Sequence, residues 1–241
     1  MPSAYLLVSH GSRDQRPEIA MNQLVDLIGD IQSSHPPHSE SKNLIGTAYL
    51  ELRPTPLHEQ IQEFGKVAQS HGCDRLKIVP LFLLPGVHVM TDIPEEVTKA
   101  QAALDLAIEV KPYLGTHPRL AQLLRKQMSA LEVQKWILLS HGSRRPGSVE
   151  PVEAIAATLG ALPAYWVLLP SLQLQIQELA SFGVTEIGIL PYFLFAGGIT
   201  DALAQSVEQS RMQFPGVSLQ LAEPLGASSF LADLIWDLLE S

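Results

Sequence analysis

His10, Glu51 and His88 each stand just beyond an apolar run that reads as a strand, at residues 4–8, 44–50 and 76–83. A neutral imidazole is available near pH 7 and is a good ligand for first-row divalent metals. A neighbouring carboxylate can complete the shell of such an ion or take up a proton. Two imidazoles and one carboxylate from three strand ends therefore suit the capture of a divalent cation. The condition is that the strands share one sheet edge, since ligands of open parallel sheets bind outside the carboxyl ends of the strands. Two other uses of His10 stay open on its residue type alone. It can serve a hydrolase as nucleophile or base, although such a site would want a preceding arginine and Ser9 stands there instead. It can also help Ser9 cap the next helix. His35, His38, His58, His71 and His117 read as surface or structural histidines.

The elements that must position these side chains come in two copies. Tyr5-Leu6-Leu7-Val8-Ser9-His10-Gly11-Ser12-Arg13 returns as Trp136-Ile137-Leu138-Leu139-Ser140-His141-Gly142-Ser143-Arg144. Gln60-Ile61-Gln62-Glu63 returns as Gln175-Ile176-Gln177-Glu178, and Pro80-Leu81-Phe82-Leu83 as Pro191-Tyr192-Phe193-Leu194. The matches keep their order, as an internal duplication requires. Short apolar runs without polar alternation predict parallel strands buried on both faces, at 4–8, 44–50, 76–83 and 107–112, then 136–140, 164–168, 186–193 and 218–222. Helices are expected near 17–31, 56–70, 94–104 and 118–130, with equivalents in the second copy. Pro17, Pro56 and Pro94 stand where a first helical turn tolerates a missing N–H. The polar run Ser33–Ser41 reads as an exposed loop. The predicted fold class is α/β: two similar Rossmann-like domains with parallel sheets around a cleft, residues 1–130 carrying the active site and 131–241 closing the cleft.

Composition narrows the function classes. A net charge of -9 argues against nucleic acid as a partner, because such proteins usually present a basic face. It leaves room for a small anionic ligand held by local arginines. Cys73 is the single cysteine, which excludes an internal disulfide, a CxxC redox pair and a cysteine-ligated iron–sulfur cluster. No run approaches twenty apolar residues, so no membrane span is expected. The start, Met1-Pro2-Ser3-Ala4, lacks a secretory n-region. A cytoplasmic monomer is the expectation. Gly11-Ser12-Arg13 forms neither a phosphate-binding loop nor a dinucleotide turn, so no nucleotide is implied.

Taken together, Ser9-His10-Gly11-Ser12-Arg13, Tyr49-Leu50-Glu51 with Pro56-Leu57, Val79-Pro80-Leu81-Phe82-Leu83, Gly86-Val87-His88 and Asp92-Ile93-Pro94 resemble the sirohydrochlorin chelatase family. The doubled arrangement is similar to the long, two-domain form of these class II chelatases. The resemblance implies a lyase that inserts Co2+ or Fe2+ into sirohydrochlorin without ATP, in siroheme or cobalamin biosynthesis, with no permanently bound cofactor. It places metal binding and catalysis on His10, Glu51 and His88. Sirohydrochlorin carries eight carboxylates, and Arg13, Arg53 and Arg144 are the expected contacts, with Arg16 and Arg145 nearby. A non-catalytic metal or tetrapyrrole carrier would need the same ligands. The second copy departs from the pattern: an ungapped match sets Trp166 against Glu51 and Ile199 against His88, and no histidine follows His141.

Overall fold

The computed structural model describes residues 3–34, 44–145 and 147–241. Among the described residues, eight strands form two four-stranded sheets, parallel throughout, with the orders β2-β1-β3-β4 and β6-β5-β7-β8. The first sheet comprises β1 (Ser3–Ser9), β2 (Leu44–Tyr49), β3 (Arg75–Pro80) and β4 (Ala107–Val110). Its helices are α1 (Arg16–Ser34), α2 (Leu57–Ser70) and α3 (Ile93–Gln101). The second repeats the plan with β5 (Lys135–Ser140), β6 (Leu162–Tyr165), β7 (Glu186–Pro191) and β8 (Ser218–Leu221), and with α5 (Glu150–Leu159), α6 (Leu172–Ser181) and α7 (Gly198–Gln213). The expected strands and helices are all present, with ends shifted by a few residues. Ser33 and Ser34 of the polar run close α1, while residues 35–41, with His35 and His38, lie outside the described residues.

Alternation along β1 explains why the sheet is covered on both sides. Ala4, Leu6 and Val8 join one core cluster with Leu57 and Ile61 of α2 and Ile93 and Ala100 of α3. Tyr5 points the other way: its ring meets Trp236 edge-on at 5.8 Å and its hydroxyl donates to Glu240 Oε1 at 2.6 Å. Both partners lie on α8 (Ser229–Glu240), which also packs on α1. Lys77 Nζ donates to the Leu239 carbonyl at 2.7 Å, a cation at the end of a helix where its dipole is negative.

The chain divides into compact units differently from the expected cut at residues 130/131. One unit is Met1–His117 with Ala227–Ser241, and the other is Pro118–Gly226. The physical reason is a reciprocal exchange of last helices. α4 (Leu120–Met128), which ends the first copy, packs on α5 and β7. α8, its repeat equivalent, packs on α1 and β3. Helical periodicity shows that α8 has an apolar face but not which sheet that face will cover.

Among the described residues, no helix is long and apolar enough to cross a membrane.

Ile235 on α8 is fully buried. Ile235→Ala is expected to cost about 2–5 kcal/mol. Hydrogen exchange should report lost protection in β1 and α1 while β5 to β8 keep theirs. Loss confined to the second sheet would contradict the exchange of helices.

Candidate metal centre

The site is built where β1, the strand between β2 and β3, runs out of sheet. Pairing with β2 continues beyond the strand ends: Leu50 N–H donates to the Ser9 carbonyl and Glu51 N–H to the His10 carbonyl, both at 2.9 Å. Gly11 turns the chain away with φ of +99°, and a Cβ there would come within 2.1 Å of the Glu51 carbonyl oxygen. Only glycine accepts both that dihedral and that approach. Leu52, directly after Glu51, has φ of 60°, a region sparsely used by leucine. The backbone thus fixes His10 and Glu51 side by side.

His88 arrives from β3 by a different device. Residues His88–Asp92 form a π-helical turn leading into α3, and Ile93 N–H donates to the His88 carbonyl five residues back. Single π turns arise from one extra residue in a helix and are frequent at functional sites. The repeat shows that extra residue. The strands align Arg75 with Glu186, whereas the buried faces of α3 and α7 align Ile93 with Leu203 and Ala100 with Ser210. The second copy is one residue shorter across this segment, and α7 runs on from Gly198 as regular α-helix.

These turns bring all three predicted residues together. Ligand atoms of His10, Glu51 and His88 lie within 4.8 Å of one another. Glu51 Oε2 is 3.7 Å from His10 Nε2, and Glu51 Oε1 is 4.0 Å from His88 Nε2. The two imidazoles stand edge-to-face at 4.8 Å between centroids, with Phe82 on the outer side of His88 at 6.2 Å. Three donors on one ion with bonds of about 2.1 Å lie roughly 3.0–3.6 Å apart. The trio is therefore near a three-donor shell, and its side chains draw in by up to about 1 Å to close on an ion. Side-chain exposure of His10 and Glu51 is 50% and 47%. An open site of this kind suits an ion that is received and handed on, since structural metal sites are closed by a full protein shell. Beside Glu51 lies a hollow of about 310 Å³ lined by Leu50, Pro56, Leu57, Asp92, Glu95 and Glu96. Its carboxylates give the approach a negative potential that raises the local concentration of cations.

Sequence matching missed one feature of the second unit. Tyr165 pairs with Ser140 as Tyr49 pairs with Ser9, and Val167 N–H donates to the His141 carbonyl as Glu51 does to that of His10. Val167, not Trp166, therefore occupies the place of Glu51; the loop before α6 is one residue shorter than its counterpart. The correction leaves His141 even more clearly without a carboxylate neighbour at the repeat position.

The arginines divide. Arg13 and Arg144 are exposed beside the two Ser-His-Gly turns. Arg53 is tied down: its guanidinium sits 4.3 Å over the Tyr49 ring and donates to Glu18 Oε2 at 2.5 Å. It was expected to meet substrate carboxylates; in the structure its Nη2 links the β2–α2 loop to α1. Arg16 is likewise engaged with Asp14, and its hydrogen bonds hold that carboxyl down at about 2.

Comparison with known proteins agrees with this fold. The family model described as CbiX matches residues 4–131 and again 135–241. A sirohydrochlorin cobaltochelatase of Priestia megaterium is 24% identical over 245 residues, covering 92% of this chain and 74% of the relative. A sirohydrochlorin ferrochelatase of the same organism is 26% identical over 191 residues, 73% of this chain and 70% of the relative. Among solved structures, the sirohydrochlorin chelatase SirB of Bacillus subtilis subspecies spizizenii in complex with cobalt superposes with a TM-score of 0.75 at 20% identity, over 100% of this chain and 94% of that one. SirB from Bacillus subtilis with Fe3+ gives 0.75 at 21%, over 100% and 95%.

Gly11→Ala is expected to part the His10 and Glu51 backbones and weaken Co2+ binding by about 10–100-fold, the range for disturbed support of a metal ligand. Gly72 provides the control, with φ of +76° but nothing within 4 Å of a Cβ. Gly72→Ala should lose stability only. Titrations of both variants with Co2+ test this; equal affinities would show that the close approach is not needed.

Proposed function

Because the chain belongs to the CbiX family, we propose that it is a sirohydrochlorin chelatase, inserting a divalent metal ion, Co2+ or Fe2+, into the ring without ATP. The observation that carries the proposal is the half-exposed trio of His10, Glu51 and His88, poised as three donors at one sheet edge. The imidazoles and the carboxylate strip part of the water from the incoming ion and present it on an open side. Insertion breaks two pyrrole N–H bonds, forms four metal–nitrogen bonds in place of the ion's bonds to water and protein, and releases two protons. As the ion passes to the ring, Glu51 is freed as a ligand and becomes able to accept one of them. The donor set accepts Co2+ and Fe2+ alike, so supply rather than the trio selects between them.

Arg13 is proposed to hold ring carboxylates beside the trio, and Arg144 to do so at the matching turn of the second unit, as the bidentate guanidinium fork allows. Arg53 acts instead on the loop that carries Glu51. A cytoplasmic monomer handling small molecules agrees with the acidic surface and single cysteine.

The direct test follows sirohydrochlorin absorbance with Co2+ or Fe2+, no nucleotide, and protein far below substrate. Many turnovers per chain are expected; conversion that stops at one equivalent would mean a carrier. Glu51→Gln should slow insertion by about 10²–10⁴-fold, the usual loss for a missing general base. If only the half-saturating ring concentration moved, Glu51 would be a binding residue.

His10→Ala should abolish insertion, whereas His141→Ala should retain most of it. Both residues follow the same strand of the repeat, but His141 has Val167 where His10 has Glu51. Rates of the two folded variants measured side by side decide the matter. An inactive His141→Ala beside an active His10→Ala would place the chemistry in the other unit.

A further inference from the structure

Asp92 does not belong to the trio, yet it makes the shortest polar contact of any trio member. Its Oδ2 lies 2.7 Å from His88 Nδ1, across the π turn that also carries His88. We propose that Asp92 is the positioning residue of the site: it accepts a hydrogen bond from Nδ1–H of His88, holding the proton on that nitrogen, and so keeps Nε2 unprotonated and aimed at the ion. This deepens the chelatase reading and rests on the trio being the metal site.

Three observations support it. First, His88 has only two nitrogens, and Nε2 is the one facing Glu51. A neutral imidazole can bind a metal only through its unprotonated nitrogen, so the proton must sit on Nδ1. A carboxylate acceptor at hydrogen-bond distance imposes that tautomer and fixes the ring, and partners of this kind orient metal-binding histidines generally. Second, among the described residues the other imidazole has no such partner: His10 Nδ1 is 3.4 Å from the Gly11 carbonyl, a weak contact. His10 is instead set by the backbone of its turn. His88 stands farther from its strand, so its ring needs a separate anchor. Third, the pair occurs only in the unit that holds the trio. The second copy offers Gly198 and Ala202 in the helix register, or Ile199 and Leu203 in the strand register. Neither register supplies an imidazole or a carboxylate. The π turn and the His88–Asp92 pair are present together in one copy and lacking together in the other.

Asp92 also lines the acidic hollow beside Glu51, so a purely electrostatic attraction for cations must be separated from positioning. Asp92→Asn does so. The amide loses the negative charge, but its oxygen still accepts from Nδ1–H. Asp92→Ala loses both. The residue is partly exposed, with side-chain exposure of 36%, so neither change should unfold the protein.

Two measurements on the full chain test the proposal. Long-range ¹H–¹⁵N spectra of the imidazoles, recorded without metal at about pH 8.5, well above the ordinary histidine range, report which ring nitrogen is protonated. His88 should show the Nδ1–H form in the wild type and in Asp92→Asn, and a mixture in Asp92→Ala. Co2+ titration followed by visible absorption should show affinity reduced by about 10–100-fold in Asp92→Ala and by much less in Asp92→Asn. Equal loss in both variants would make Asp92 an electrostatic or direct ligand and overturn the positioning role. So would wild-type affinity in Asp92→Ala, or an Nε2–H form of His88 in the wild type. Failure of the underlying reading looks different: wild-type protein would bind Co2+ no better than His10→Ala, whatever the tautomer of His88.

Discussion

The proposed metal centre depends first on the pairing of β1 with β2 continuing past the end of the sheet. Two backbone hydrogen bonds, from Leu50 and Glu51 to Ser9 and His10, carry the ladder into the loops. Gly11 lets the two chains approach closely enough to keep it. The backbone positions of an imidazole and a carboxylate are thereby fixed side by side. His88 cannot be held in this way, because it follows β3 by a longer loop. It is delivered by a π turn and steadied by Asp92. The half-exposed setting follows from the same construction. A sheet edge offers side chains from three loops but does not enclose them, which suits an ion in transit.

The duplicated chain keeps this scaffold twice and the donors once. Ser140-His141-Gly142 repeats the turn, and Val167 repeats the backbone bond of Glu51. What changes is the side chain, from carboxylate to isopropyl, together with the loss of the residue that makes the π turn. Both differences remove ligand chemistry without touching the sheet. Each copy's last helix packs against the other copy's elements, so the unit that holds the trio includes the distant C-terminal segment Ala227–Ser241.

The sheets, their parallel sense and the trio were legible in the sequence because each rests on local signals: unbroken apolar runs, prolines at helix starts and a repeated turn. The strand ends were enough to nominate His10, Glu51 and His88. Other features were not legible, each for a physical reason. A one-residue loop difference moves Val167 into the place of Glu51, and no local propensity marks such a shift. The π turn differs from an α turn by a single inserted residue, visible only when strand and helix registers are compared. Arg53 looked like an anion contact by type, but its partners Glu18 and Tyr49 are fixed by tertiary packing. Asp92 stood in the sequence as part of a resembling motif, four residues from His88, without anything to show that the two side chains meet.

The central claim is that one divalent ion is held by His10, Glu51 and His88. Paramagnetic ¹H NMR of the Co2+-loaded protein tests it most directly, because exchangeable ring protons of metal-bound imidazoles shift far outside the normal range. The account predicts saturation at one Co2+ per chain and two such signals, both lost in His10→Ala and in His88→Ala, with neither affected by His141→Ala. Shifted signals that persist in both single variants, or that disappear with His141→Ala, would contradict it.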